Sequence, residues 1–327
     1  MEFNREQSGG LGLGNSANVA VLLTDRKYLP AALFVAQKLS RQRSRNFDIR
    51  LLVTECPEAV RETLDDGITI QDFVPDERAQ RTASLKKKPP IAFGRLTMDS
   101  VLPEHYQKIL YLDCDLWIGN REISQLFAMD LDGFAFGAVC DAGEIVRATD
   151  PIWLDYKRQL GLDDDTPYFN SGVMMIDRNE FKKQRIGDRS LEYIANGGYL
   201  GMMNDQSALN AVTKGQWRQL SPIWNWMFGS RARLTEETDP AIIHFIGPQK
   251  FWNDTRGRFA PKYRQDMTAY LKTLGYEAFV QETPQIFRVR RAIKQFGFDA
   301  LAAVGANKRE LLIRSALAAH SVRVSSV

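Results

Sequence analysis

The sequence predicts an α/β fold built on a mostly parallel central sheet. Short apolar runs at 19–23, 49–53, 68–70 and 108–112 alternate with helical stretches, the pattern of strands covered on both faces by helices. The chain has 327 residues, 44% of them apolar, enough for a large core without a disulfide or zinc staple. The run at 108–112 leads straight into Asp113-Cys114-Asp115, at the end of a strand where α/β sheets place their ligands.

Taken in order, residues 1–17 read as a flexible lead-in. The glycines of Ser8-Gly9-Gly10-Leu11-Gly12 precede the first strand, whereas a dinucleotide-binding loop follows a strand and opens a helix. Strand 19–23 passes through Thr24-Asp25-Arg26-Lys27-Tyr28 into a helix over about 29–41. Residues 76–90, charged and ending Lys86-Lys87-Lys88-Pro89-Pro90, are expected as a loop, with a mobile basic lid as its alternative role. A helix follows over 92–102, then strand 108–112, then core strands at 134–140 and 172–176. These elements make one unit over 18–283. Residues 284–327 form a basic tail with two expected helices, one carrying Ile286, Phe287, Ile293 and Phe296, the other over 311–317.

Cys56, Cys114 and Cys140 have no paired spacing, so a reducing compartment is expected, with the thiols buried. Residues 1–6 lack the apolar core of a signal peptide, and no apolar run approaches the roughly 18–20 residues that span a bilayer. These points predict a cytoplasmic protein. The formal net charge is +3, which argues against a nucleic-acid partner. That small value hides a division. Residues 284–327 hold eight basic and two acidic residues, whereas the rest of the chain holds 35 and 38. The tail therefore suits an anionic inner-leaflet surface, or else a helical packing role with a solvated cationic face.

Two carboxylates at the end of a buried strand are costly unless a cation joins them. Oxygen ligands suit magnesium or manganese, which bridge to substrate phosphates. Asp130-Leu131-Asp132 and Asp163-Asp164-Asp165 share the spacing, but no apolar strand feeds them, and they read as turns. Three further segments stand out. Asn170-Ser171-Gly172 is a polar elbow before an apolar strand, either a tight turn or a source of amide hydrogen bonds to a polyhydroxylated ligand. Asn204-Asp205-Gln206 precedes a helical run, where Asp205 is a candidate N-cap. His244 lies on an apolar strand before Gly247-Pro248, with Lys250 six residues on.

These residues together resemble glycosyltransferase family 8, the retaining sugar-nucleotide transferases, over roughly residues 18–255. The resemblance rests on Thr24-Asp25-Arg26-Lys27-Tyr28, Arg95, Tyr111-Leu112-Asp113-Cys114-Asp115, Phe169-Asn170-Ser171-Gly172-Val173, Asp205-Gln206 with Leu209-Asn210, and His244-Phe245 through Trp252, in the family's order. It implies a GT-A type nucleotide-diphospho-sugar transferase domain. It also implies transfer of glucose or galactose from a UDP-sugar to a glycan or lipid-linked glycan acceptor. Asp113, Asp115 and His244 would hold Mn2+ or Mg2+. Thr24, Asp25, Tyr28, Arg95, Cys114, Asn170, Ser171, Asp205, Gly247 and Lys250, with Asp113, would bind the donor, and Asp141 would touch its sugar. Gln206 would lie beside the anomeric carbon, with Asp205 as the other candidate for a covalent role. An amide is a feeble nucleophile, so front-face attack is expected over a covalent intermediate. A catalytically silent sugar-nucleotide or glycan-binding module is the alternative, which the intact metal set disfavours. Two departures bear on the donor. Lys27 replaces a polar residue of the first loop, and Phe251 replaces the proline after Lys250, so a less rigid loop is expected there.

Overall fold

A computed structural model describes residues 16–61, 67–86, 89–199, 201, 203–282, 284, 289, 293 and 308–325. The strands are β1 (Asn18–Thr24), β2 (Asp48–Val53), β3 (Ile68–Asp72), β4 (Lys108–Leu112), β5 (Leu116–Ile118), β6 (Phe136–Cys140), β7 (Phe169–Asp177), β8 (Arg218–Gln219) and β9 (Ile242–His244). Seven of them form one sheet in the order β3-β2-β1-β4-β7-β6-β8, and β5 pairs with β9 beside it. Neighbours are parallel except at β4/β7 and β7/β6, so the mostly parallel α/β sheet is as expected.

The apolar strands are buried on both faces. On β1, Val19, Val21 and Leu23 enter the layer that holds Tyr111 and Phe136, while Ala20 and Leu22 enter the layer of Leu33, Leu39 and Leu110. Helix Leu29–Ser40 starts where the Asp25 carboxylate accepts the Tyr28 N–H at 3.0 Å and Pro30 fixes the first turn.

Several local expectations differ from the structure. Residues 77–86 of the expected charged loop form helix Glu77–Lys86, because Ala79, Thr82 and Ala83 bury one face and proline arrives only at 89. Residues 87–88, and with them part of the supposed lid, lie outside the described residues. In place of a helix over 92–102 there are two 3-10 segments, Pro90–Leu96 and Met98–Ser100. The buried Arg178 explains the break: its guanidinium donates to the carbonyls of Asp99, Leu102, Pro103 and Tyr106, which a continuous helix and its cap would use otherwise. Asn170-Ser171-Gly172 is not an elbow ahead of a strand. It lies inside β7, where the register against β6 slips between Ala138 and Val139 so that Asn170 pairs with Val139, while Gly172 O accepts the Asp113 N–H. Asp205 is not an N-cap; it is the first residue of helix Asp205–Thr213, and Asn204 precedes it at φ 49° without a side-chain cap.

Helix Lys308–Ser325 covers the second expected tail helix. It packs against helix Ala142–Arg147 through buried Ile313, and Arg314 pairs with Glu237 and Glu310. Leu311 and Leu312 face outward. Ile286, Phe287 and Phe296 of the first tail helix, and the glycine-rich lead-in, lie outside the described residues. Among the described residues, no helix is long and apolar enough to cross a membrane.

Candidate active site

β4 ends at Leu112, and the Asp113 N–H continues its pairing by donating to Gly172 O at 2.8 Å. Phe245 N–H donates to Asp115 O at 3.0 Å, which seats the strand-end pair beside β9. Asp113, Asp115 and His244 thereby meet, one ligand atom from each within 4.8 Å of the others. Asp115 Oδ1 lies 3.1 Å and Asp113 Oδ2 3.8 Å from His244 Nε2.

The remaining carboxylate oxygens are engaged elsewhere. Asp113 Oδ1 accepts from Tyr111 Oη at 2.7 Å and from Arg95 Nη2 at 3.1 Å. Asp115 Oδ2 takes the Lys250 ammonium, which also donates to Phe245 O at 2.8 Å. Burial alone would raise the Asp115 carboxyl, but His244 and Lys250 outweigh it and hold the group well below the usual carboxylate range.

Gly172 is what leaves room for this convergence. A Cβ there would lie 2.3 Å from His244 Cε1 and 2.8 Å from both Asp113 Oδ2 and His244 Nδ1. Two oxygens and one imidazole nitrogen, brought together where glycine lets the His244 ring and Asp113 pack against its backbone, fit a divalent cation in number and type.

Arg95 organises the next layer. Its buried guanidinium donates to Ser171 O at 2.6 Å and Ser171 Oγ at 3.0 Å, lies 2.5 Å from Asp205 Oδ2, and stacks on Tyr111 at 4.5 Å. One cation therefore serves two carboxylates. Burial pushes the Asp205 carboxyl up to about 6, with Arg95 only partly opposing. Gln206 is held on both sides: Oε1 accepts the Ser171 N–H at 3.1 Å, and Nε2 donates to Asp141 Oδ2 at 3.2 Å and Tyr168 Oη at 3.4 Å. Asn210 clamps Phe169 by accepting its N–H at 2.9 Å and donating to its carbonyl at 3.0 Å.

Other expected site residues occupy the rim. Thr24 is buried, and its hydroxyl donates to Asp25 O at 3.0 Å. Cys114 Sγ lies 3.3 Å from Leu23 O, and burial with the flanking carboxylates pushes its thiol above the usual range. Tyr28 is half-exposed next to Asp25. Gly247 supplies φ 87° at the turn between His244 and Lys250, a conformation that favours glycine. Phe251 does not leave the Lys250 loop loose. It is buried 4.6 Å from Phe245 and 6.1 Å from Phe34, and Asn253 Oδ1 accepts the Lys250 N–H at 2.6 Å.

Sequence reasoning missed Asn225, Tyr111 and Tyr168 as members of the site. Asn225 is fully buried, and its Oδ1 lies 2.9 Å from His244 Nδ1. Its one sequence signal is a polar residue between Trp224 and Trp226 in an apolar run.

Residues 19–256 match the model for glycosyl transferase family 8. General stress protein A of Bacillus subtilis is 29% identical over 243 residues, spanning 67% of this chain and 80% of that protein. Glycosyltransferase GlyF of Streptococcus pneumoniae is 28% identical over 153 residues, spanning 45% of this chain and 34% of its own length. In architecture the chain is similar to the galactosyltransferase LgtC, solved with donor and acceptor sugar analogs. The TM-score is 0.62 at 21% identity, over 83% of this chain and 99% of that one.

Proposed function

Because the chain belongs to glycosyl transferase family 8, we propose that it transfers a hexose, glucose or galactose, from a UDP-sugar to a glycan or lipid-linked glycan acceptor, with retention. One observation carries the metal-dependent form of this reading: Asp113 Oδ2, Asp115 Oδ1 and His244 Nε2 converge, and Gly172 leaves the room that the His244 ring and Asp113 need to do so. Asp113, Asp115 and His244 would hold Mn2+ or Mg2+. A cation bound there supplies positive charge to the diphosphate as it departs.

The protein's own groups support the rest. Lys250 is a second cation at the same carboxylate, suited to a phosphate oxygen. Arg95, Asp205 and Ser171 are pre-paired with one another, so a donor sugar meets polar groups already oriented. Gln206 Oε1 is engaged by a backbone N–H and Asp205 by Arg95, so neither is presented as an unencumbered nucleophile. This supports front-face attack, in which the acceptor hydroxyl enters on the side of the departing UDP and its proton passes to a phosphate oxygen. The catalytic unit is residues 18–283. Residues 284–327 would hold the protein against the anionic cytoplasmic leaflet, with Leu311 and Leu312 outward.

The test is UDP release from a panel of UDP-sugars with Mn2+, with and without candidate acceptors. Asp115→Ala should abolish both transfer and slow donor hydrolysis while keeping the wild-type circular dichroism spectrum. Full activity in that variant would refute the metal assignment.

A further inference from the structure

The hydrogen-bond directions around His244 can be read from one atom whose role is not open to choice, the backbone N–H of Gly172. It donates to Asn170 Oδ1 at 3.0 Å, which makes that end of the amide the oxygen and turns Asn170 Nδ2 toward Asp141 Oδ2, 3.0 Å away. The same Asn170 Oδ1 accepts from Asn225 Nδ2 at 2.9 Å. An acceptor on that side fixes the second amide too, so Asn225 presents its oxygen to His244 Nδ1 at 2.9 Å. An amide oxygen can only accept. His244 Nδ1 therefore carries a proton, and Nε2 is the nitrogen that faces Asp113 and Asp115, where a cation would take the place of the proton that the Asp115 carboxylate, 3.1 Å away, otherwise accepts.

The backbone seats Asn225 for this role. Trp226 pairs with both sides of Ile243, its N–H donating to Ile242 O at 2.8 Å and its carbonyl accepting the His244 N–H at 2.9 Å. The preceding residue, Asn225, is thereby held level with the His244 ring. Both residues are buried, and water cannot substitute for the missing partner without opening the core.

We propose that Asn225 is the positioning residue that presents His244 as an Nε2 ligand, as the last link of an amide chain running from Gly172 N–H through Asn170. Building on the divalent-cation reading, this gives Asn225 a task that no motif in the sequence assigns to it. Neutral histidine in water favours the proton on Nε2, the wrong tautomer for a ligand at that atom. Asn225 reverses the preference and blocks a ring flip. The chain also branches at Asp141, whose Oδ2 accepts from both Asn170 and Gln206, so the orientation of His244 and that of Gln206 are set within one network.

The experiment uses full-length protein with 15N-labelled histidine. Long-range proton–nitrogen spectra are recorded with the diamagnetic cation Mg2+ at one fixed concentration, so that the cation rather than a proton sits between Nε2 and the Asp115 carboxylate 3.1 Å away, and His244→Gln identifies the signal against His105 and His320. The wild type should carry its proton on Nδ1. Asn225→Ala should move it to Nε2 in part or whole and raise the Mn2+ dissociation constant, read from the resonance of free Mn2+, by about 10–100-fold. Asn225→Asp keeps an acceptor against Nδ1, so it should retain the tautomer and bind Mn2+ more tightly than the alanine variant. It also carries the test if the alanine variant fails to fold. A wild-type proton on Nε2, Mn2+ binding by Asn225→Ala within twofold of wild type, or loss of the tautomer in Asn225→Asp would each overturn the proposal. No sugar donor enters either readout, so a failure here is separable from a failure of the transferase reading.

Discussion

Gly172→Ala is the smallest change that tests how the site is built. Glycine in a strand is ordinarily a liability, and alanine would be expected to stabilise by about 0.5–1 kcal/mol through lost backbone freedom in the unfolded chain. Here the sign should reverse. The new methyl would sit 2.3 Å from His244 Cε1 and 2.8 Å from Asp113 Oδ2, well inside van der Waals contact. It cannot back away cheaply, because Gly172 O accepts the Asp113 N–H at 2.8 Å and Gly172 N–H donates to Asn170 at 3.0 Å. The neighbours must yield by about 1 Å, and overpacking on that scale costs about 1–3 kcal/mol. A displacement of that size in a positioned site also lowers the rate by roughly 100-fold. The assay is urea unfolding with and without Mn2+, alongside Mn2+ titration and UDP release. The variant should be less stable than wild type without metal, and the stabilisation gained from Mn2+ should shrink, since that increment scales with affinity. If the variant binds Mn2+ within twofold of wild type and unfolds at the same urea concentration, the steric cradle is wrong.

Two further outcomes follow from Arg95 and Asp205. Arg95→Met removes the cation shared by two carboxylates and should cost about 3–5 kcal/mol at pH 7, measured by urea unfolding, with partial recovery near pH 5 as Asp205 protonates. A loss below about 1 kcal/mol at pH 7 would mean that the pairs contribute little. In the folded wild type, burial pushes the Asp205 carboxyl up to about 6, above the value near 3.9 of an unfolded chain. The folded state therefore binds that proton more tightly, and its contribution is fully present below about pH 4 and lost as pH rises through about 6. The difference is about 3 kcal/mol, on the order of two units at 1.36 kcal/mol each. Melting temperature against pH should accordingly fall less for Asp205→Asn than for wild type between pH 4 and 7; parallel curves would argue against a raised Asp205.

How much of this was readable beforehand depended on the range of the interaction. Strands β1, β2 and β4 were legible because continuous apolar runs between helical stretches have few other ways to be buried. The Asp113/Asp115 pair was legible because two charges at a strand end cannot be neutral packing. Helix Glu77–Lys86 was misread because its charge concealed one apolar face, formed by Ala79 and Ala83. The region after Pro90 was misread because the residue that breaks it, Arg178, lies some eighty positions away in the chain. Asn170-Ser171-Gly172 has turn composition, yet Val139 of β6 pairs with Asn170, and the Asp113 N–H just past β4 donates to Gly172 O, which keeps it in a strand.

The sequence by itself determined the α/β class, the carboxylate pair, and, through ordered motifs, the resemblance to a family of transferases. Those features are local in the chain or repeat a fixed pattern, and composition or spacing exposes them. Only the tertiary structure decided which oxygen of each aspartate faces His244, that Gly172 is needed for space rather than for a turn, and that Asn225 governs the imidazole. Each of those depends on atoms brought within about 3 Å by strand pairing between distant segments. Hydrogen-bond direction and steric room exist only once that pairing is made.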